Sequence, residues 1–250
     1  MAGLGSRFTS EGYSIPKPLL PVGDYRMFEV VIANFATNDL ESVSIVAPRS
    51  FNLHSDVTTL SEKLGIRIHL IEIDFITNGP AESAYLALEN LDQETPVVIA
   101  NSDQFLDFSP QTWIDSVMDS TADGSILCMR DDDPKWSYAR LGADGLAEEV
   151  VEKRVISNLA TCGVYFFKAS RIFRDGFLNL QARDERVNGE FYVAPIYNEI
   201  IKKGQEVSVF DLGPVSEVMF GLGTPADYQY FNRSKMVSRS NAICDSLFRT

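Results

Sequence analysis

Positive charge is scarce in this chain. Its 250 residues hold 22 Lys and Arg against 35 Asp and Glu, a formal net charge of −13. Nucleic acids and anionic bilayers are gripped by clustered Lys and Arg, so this balance argues against a general nucleic-acid or membrane-surface role. It leaves room for a nucleotide, which needs only a handful of local cations. Cysteine is equally sparse: Cys128, Cys162 and Cys244 form an odd set without metal-like spacing, as expected of buried thiols in a reduced, cytoplasmic compartment. The two histidines, His54 and His69, sit in no motif. No apolar run is long enough to span a bilayer, no signal peptide is visible, and repeats and low-complexity tracts are absent. With 45% hydrophobic and 23% charged residues, the chain has the balance of a globular protein of one large or two small α/β domains.

The informative stretch is the beginning. Met1-Ala2-Gly3-Leu4-Gly5-Ser6-Arg7-Phe8 places two glycines one residue apart, which lets the backbone turn tightly with no Cβ to hold an anion away. Successive amide N–H groups in such a turn form a concavity suited to phosphate oxygens. Arg7 adds a planar fork of donors and Lys17 a compact, mobile charge. Pro16 and Pro18 restrict the backbone on both sides of Lys17, within Ile15-Pro16-Lys17-Pro18-Leu19-Leu20-Pro21-Val22. A glycine-rich phosphate loop normally follows a buried strand. None precedes this one, and the expectation is that the true start lies some residues upstream.

Farther along, residues 26–36 predict an amphipathic helix and 43–47 a buried strand ended by Pro48. A helix over 55–64 stops at Gly65, and 66–71 alternate as a strand with His69 and Arg67 on one face; an exposed or satisfied His69 is expected. Residues 77–84 form a turn leading into a helix as far as Leu91, and their small side chains permit close approach by a flat ligand, with an ordinary capped helix as the alternative. The apolar run 95–100 predicts a central parallel strand. It ends in Asn101-Ser102-Asp103-Gln104, an acid where open α/β sheets bind ligands. Asp107 is expected to cap residues 109–118 or face solvent. Strand, helix, strand, helix implies an open sheet with crossover helices.

In the second half, 125–130 predict a strand and Asp131-Asp132-Asp133-Pro134 a solvated turn rather than a metal cluster. Residues 136–141 and 146–151 read as strands joined by a turn at 142–145. A late strand is expected at 207–211, a Gly-rich turn into a helix at 219–228, and a terminal helix with a loose tail at 232–250.

Several segments together resemble the sugar-1-phosphate nucleotidylyltransferases (pyrophosphorylases): the opening loop, the Pro-Lys-Pro segment, Val151-Glu152-Lys153-Arg154 with residues 158–167, and Val187-Asn188-Gly189-Glu190-Phe191-Tyr192-Val193-Ala194-Pro195-Ile196-Tyr197. The resemblance runs over residues 1–230. It implies an α/β fold with a Rossmann-like open mixed sheet (nucleotide-diphospho-sugar transferase, GT-A-like), here without its first strand. Residues 1–230 would form a single domain, 1–120 its nucleotide-binding half and 121–230 its acceptor-binding half, with 231–250 a C-terminal helix or tail.

By the same resemblance, Ala2, Gly3, Leu4, Gly5 and Ser6 cradle the triphosphate, Arg7 holds it, and Lys17 stabilises charge at the reacting phosphate. Asn78, Gly79, Ala81 and Ser102 belong to the nucleotide site, and Asp103 coordinates Mg²⁺. Lys153 takes the acceptor phosphate and Glu152 its hydroxyls, with Gly163, Asn188 and Glu190 alongside; a surface salt-bridge ladder would give Glu152 and Lys153 the same letters. Two departures matter. Asn188 stands where many sugar-specific members have Arg, which weakens the case for an ordinary hexose 1-phosphate. Gly221 stands where many relatives carry a second metal-binding Asp, and Asp227 is either its substitute or only an early-helix acid favoured by the helix dipole. The wording is closest to members found with capsule and surface-polysaccharide genes, some of which activate a non-sugar phosphate with CTP. The implied partners are a nucleoside triphosphate (CTP, UTP or dTTP) and a phosphorylated small-molecule acceptor, with no nucleic acid, no membrane, and homo-oligomerisation undecided.

The implied reaction is attack by an acceptor phosphate on the α-phosphorus of the triphosphate. It needs no general base, because a phosphate monoester is already mostly ionised near neutral pH; a chain with two histidines suits it. Two rival readings stay open: a GT-A-type glycosyltransferase, for which the Pro-Lys-Pro segment has no task, and a truncated non-catalytic nucleotide-binding relative.

Overall fold

The computed structural model describes residues 5–248, which divide into two compact units. Ala2, Gly3 and Leu4, expected in the phosphate loop, lie outside the described residues. Of the described residues, the first unit takes 5–76, 101–111 and 219–248, and the second 77–100 and 112–218.

In the first unit, the strands Ser42–Pro48 and Arg67–Ile73 pair in parallel, linked by the helix His54–Leu64. Gly65 ends that helix at φ 65°, a left-handed position that favours glycine. Residues 26–36 yield a shorter helix, Met27–Asn34. It stops where the buried Asn34 side chain donates to the Leu106 carbonyl and accepts from the Leu106 N–H, fixing the helix end to the strand Gln104–Leu106. Met219–Gly221, expected within a turn, is a strand antiparallel to Gln104–Leu106, because its backbone groups find ladder partners there. Phe8, Met27, Val30, Phe105, Leu222 and Phe231 share one buried cluster with the helices Pro225–Arg233 and Met236–Phe248. Each large side chain buried this way contributes about 1.5–3 kcal/mol. Asp107, expected to cap or face solvent, instead accepts an ion pair from Arg239 at 2.6 Å.

The second unit is built on a mixed sheet centred on the strand Leu159–Phe167. One edge of this strand pairs with Gly124–Arg130; the other pairs with Ser137–Leu141 and with Val97–Ala100. Val207–Pro214 adds a parallel partner to Gly124–Arg130. The run 95–100 therefore forms a shorter strand, antiparallel to its neighbour rather than central and parallel. Pro96 has no N–H to donate to a ladder, and Val98 points outward at 40% exposure. The helix expected to reach Leu91 spans Pro80–Ala87, after which tighter bonds such as Leu91 N–H to the Leu88 carbonyl take over. Trp136, expected in a strand, closes the acidic turn instead: its indole N–H donates to Asp131 at 2.6 Å, and the strand begins at Ser137. The core stacks Phe167 on Tyr197 with ring centroids 4.7 Å apart, and the Tyr197 hydroxyl bonds the Phe166 carbonyl at 2.8 Å. The three cysteines are buried and form no disulfide. Among the described residues no helix is long and apolar enough to cross a membrane.

Candidate functional site

In the first unit the two opening motifs meet. Pro16 takes an extended backbone (φ −51°, ψ 135°) and its carbonyl accepts from the Leu19 N–H, so Lys17 starts a tight turn. Buried Leu20 and Val22 anchor the far side of that turn. Gly5 is left-handed at φ 64°, and a Cβ on it would sit 3.3 Å from the Cβ of Lys17. A side chain at residue 5 would be tight against Lys17 and strained at this φ, so glycine suits the position.

The Lys17 ammonium then reaches Asp103, Nζ to Oδ2 at 2.6 Å, and lies 5.8 Å from the centre of the Phe8 ring. Asp103 is placed by its own backbone: its carbonyl accepts from the Leu222 N–H at 2.8 Å, in the bend ahead of Gln104–Leu106. A Cβ on Gly223 would come within 3.0 Å of Asp103 Oδ2, so glycine is what leaves room for that carboxylate. Ser102 adjoins it, half-buried. Arg7 is exposed, on the short helix Ser6–Ser10, and has no acidic partner among the described residues. Asp227 accepts from the Thr224 hydroxyl at 2.6 Å, and its carboxylate lies 3.5 Å from where a Cβ on Gly221 would begin.

Asp103 and Asp227 offer hard oxygen donors without sulfur or imidazole. Among the described residues no group of three or more metal-binding side chains forms. An ion held by carboxylates this few must take its other ligands from phosphate and water, which is the habit of Mg²⁺. The donor set fits that ion.

The second unit gathers the other expected residues. Asn78, Gly79 and Ala81 are clamped to residue 191: the Phe191 N–H donates to the Asn78 carbonyl at 2.7 Å, and the Ala81 N–H to the Phe191 carbonyl at 3.0 Å. Gly79 has φ 121°, and a Cβ on it would lie 2.6 Å from the Phe191 carbonyl oxygen. The close approach this glycine permits is thus to the protein's own backbone. The Asn78 side chain is engaged at both ends, with Glu82 and with Arg186.

Asn188 and Gly189, at φ 51° and 83°, form the two-residue turn of a tight hairpin closed by Val187 and Glu190. Asn at 188 therefore has a conformational reason, since Asn-Gly suits two successive positive φ angles. Gly163 sits at φ 67° in the irregular stretch of Leu159–Phe167 between Thr161 and Tyr165.

Lys153 follows the strand Ala147–Glu152 with φ 54°, a conformation costing a non-glycine about 1 kcal/mol. Its ammonium donates to the Tyr192 hydroxyl at 2.5 Å, and that hydroxyl donates to Glu190 at 2.6 Å. Burial, then the Glu190 hydrogen bond, pushes the Tyr192 phenol well above its ordinary value, which keeps it a donor. Glu152 accepts from the Ser137 hydroxyl; burial raises its carboxyl, opposed by Ser137 and Lys153 and assisted by Glu190.

Tyr192, Ser137 and Arg186 were not foreseen. Ser137 was not reachable by counting: outward from the 142–145 turn it falls opposite Val150, and the irregular register, with a shift between Arg140 and Leu141, sets it opposite Glu152 instead. Tyr192 lies two residues from Glu190, the strand spacing that puts side chains on one side. Arg186 carries no local signal.

Residues 1–205 match the nucleotidyl transferase family. Among solved structures, the chain is similar to the nucleoside-diphosphate-sugar pyrophosphorylase from Vibrio cholerae RC9, at 27% identity over 94% of this chain and 98% of that one, with a TM-score of 0.79. It shares its fold with the inositol-1-phosphate CTP transferase from T. maritima (16% identity, 97% and 93% covered, TM-score 0.72). The same fold occurs in a Bacillus anthracis protein assigned as a glucose-1-phosphate thymidylyltransferase (20% identity, 92% and 90% covered, TM-score 0.74).

Proposed function

The chain belongs to the nucleotidyl transferase family and is a nucleotidyltransferase; on that premise we propose that it condenses a pyrimidine nucleoside triphosphate (CTP, UTP or dTTP) with a phosphorylated small-molecule acceptor. The acceptor is a sugar 1-phosphate or a small non-sugar phosphate, and the product serves surface-polysaccharide synthesis. An acceptor phosphate oxygen attacks the α-phosphorus, a new P–O–P link forms, and the bond to the α–β bridging oxygen breaks. Pyrophosphate leaves with that electron pair.

Two polyanions must meet, so fixed positive charge is the main remedy. Gly5, Ser6 and Arg7 take the β- and γ-phosphates. Lys17 stabilises charge developing at the α-phosphate. Asn78, Gly79 and Ala81 border the nucleobase, Asn78 through a side chain already held by Glu82 and Arg186. Lys153 takes the acceptor phosphate, and Glu152 and Glu190 accept from its hydroxyls. Asp103, with Asp227 as a second carboxylate, would hold Mg²⁺, and the ion would neutralise phosphate charge.

The observation that carries this reading is the 2.6 Å contact of Lys17 with Asp103. It sets the one cation of the Pro-Lys-Pro turn against an acid suited to Mg²⁺, the pairing that a triphosphate needs at its reacting end. The test is pyrophosphate release with Mg²⁺ from CTP, UTP, dTTP, ATP and GTP, each against a panel of phosphorylated acceptors. Release from one pyrimidine nucleotide with one acceptor is expected. Nucleotide binding without release from any pair would overturn the reading in favour of a non-catalytic relative.

A further inference from the structure

The acceptor residues of the second unit are joined by a side chain with no assigned task. Lys153 carries its ammonium on four flexible methylenes, and such a charge has no intrinsic direction. In this structure it has one. Its Nζ donates to the Tyr192 hydroxyl and lies 4.4 Å from the centre of the Tyr192 ring, so the same residue engages it through oxygen and through the π-face. Tyr192 is fixed in turn, since its hydroxyl donates to Glu190 Oε2 at 2.6 Å. At the other end, the Lys153 N–H donates to the Trp136 carbonyl at 3.0 Å, which holds the left-handed backbone from which the side chain departs. Between Glu190 and Tyr192 stands buried Phe191, whose backbone bonds the loop at Asn78 and Ala81. The segment that orients the ammonium is thereby fastened to the body of the unit.

We propose that Tyr192 is the positioning residue of the acceptor site: Glu190, Tyr192 and Lys153 form one hydrogen-bonded chain that fixes where the ammonium meets the acceptor phosphate. The inference rests on the function proposed above. It adds a residue that acts through Lys153 and does not itself touch the reacting atoms.

Tyr192→Phe tests this, since it keeps the ring and removes the hydroxyl that links both neighbours. The first readout is the rate at which Lys153 is acetylated by a pulse of acetic anhydride in the folded full chain, followed by mass spectrometry. It is taken with and without inorganic phosphate as the probe of the acceptor subsite. Lys153 is expected to react severalfold faster in Y192F than in the parent chain, and to need about tenfold more phosphate for the same protection. Equal acetylation rates in the two proteins would overturn the positioning role. Phosphate that fails to protect Lys153 in the parent chain would instead sink the acceptor reading, so the two failures are distinguishable.

The second readout is kinetic, with the nucleotide and acceptor pair that releases pyrophosphate in the panel above. Y192F is expected to raise the acceptor KM about tenfold while leaving kcat and the nucleotide KM within about twofold. In a Lys153→Ala background the same substitution should add nothing, because the chain is already cut. A KM effect that persists undiminished in that background would show Tyr192 acting by another route. Should Y192F melt early, Tyr192→Trp, which keeps an aromatic face and has no hydroxyl, reads the same acetylation rate and decides the same question.

Discussion

The carboxylate of Asp227 lies beside Gly221, with its Cγ and Oδ2 both 3.5 Å from where a Cβ on residue 221 would begin. A short acid at 221 would project into the same space. The first turn of the helix Pro225–Arg233 thus brings a carboxylate where the strand Met219–Gly221 has none. The Asp227 N–H also donates to the Thr224 hydroxyl that caps this helix, and an Asn would keep that bond. Asp227→Asn should therefore leave the melting temperature unchanged and weaken divalent-ion binding about tenfold or more. Mn²⁺ titration of the nucleotide-bound protein, followed by electron paramagnetic resonance, reads this directly. Unaltered Mn²⁺ affinity would reduce Asp227 to a helix-capping acid.

Lys17 is ion-paired with the proposed metal-binding acid. Its replacement by Ala should lower turnover more than tenfold while changing stability by no more than about 1 kcal/mol, since Asp103 is a third exposed and water can take over its solvation. Steady-state pyrophosphate release and a thermal melt check the two halves. Full turnover in the variant would remove Lys17 from the reaction.

Gly79 faces the Phe191 backbone at a distance no Cβ tolerates, and its φ of 121° is already one that other residues avoid. Backbone cannot move aside as a flexible side chain can. Gly79→Ala should destabilise the protein by about 2 kcal/mol or more. Hydrogen exchange at the Ala81 and Phe191 amides should accelerate, because those bonds close the clamp. Native protection at both amides would mean that the loop relaxes without cost.

Glu152 gives a pH-dependent prediction. Burial raises its carboxyl above the ordinary 4.5, so the folded state holds this proton more tightly than the unfolded state does. A group raised in this direction costs stability wherever it is ionised, and the cost grows as pH climbs from the unfolded value through the folded one. Glu152→Gln should therefore melt higher than the parent chain near neutral pH. That advantage should vanish below about pH 4, where both states of Glu152 are protonated. The same variant should bind acceptor less well, since an amide replaces an acceptor-only group. A melting difference that is flat with pH would show that Glu152 is not the titrating group.

Much of the site was legible because its chemistry is local. Gly5, Pro16, Lys17 and Pro18 dictate their own backbone, and Lys17 was singled out from four adjacent letters. The turn at 142–145 marked its hairpin, although the pairing of Ser137 with Glu152 depends on a register shift between Arg140 and Leu141 that counting from the turn does not give. Gly65 announced the end of its helix for an equally local reason, a left-handed angle that glycine adopts without strain.

The tertiary structure decided whatever depends on residues far apart in the chain. An apolar run says that a strand is buried and says nothing of which way its partner runs; Val97–Ala100 is antiparallel because the partner that the fold brings beside it is Leu159–Phe167. That the Phe191 backbone, more than a hundred residues later, lies where a Cβ on Gly79 would be is not written in the turn's own letters. Lys153 carries its charge in the sequence, but its direction comes from Tyr192 and Glu190, and Asp227 meets Gly221 only because a helix turns back on a strand. The sequence by itself determined which charges and which turns the protein owns, since those are properties of single residues and their neighbours. Only the fold decided which of them meet, since contact across the chain is set by packing.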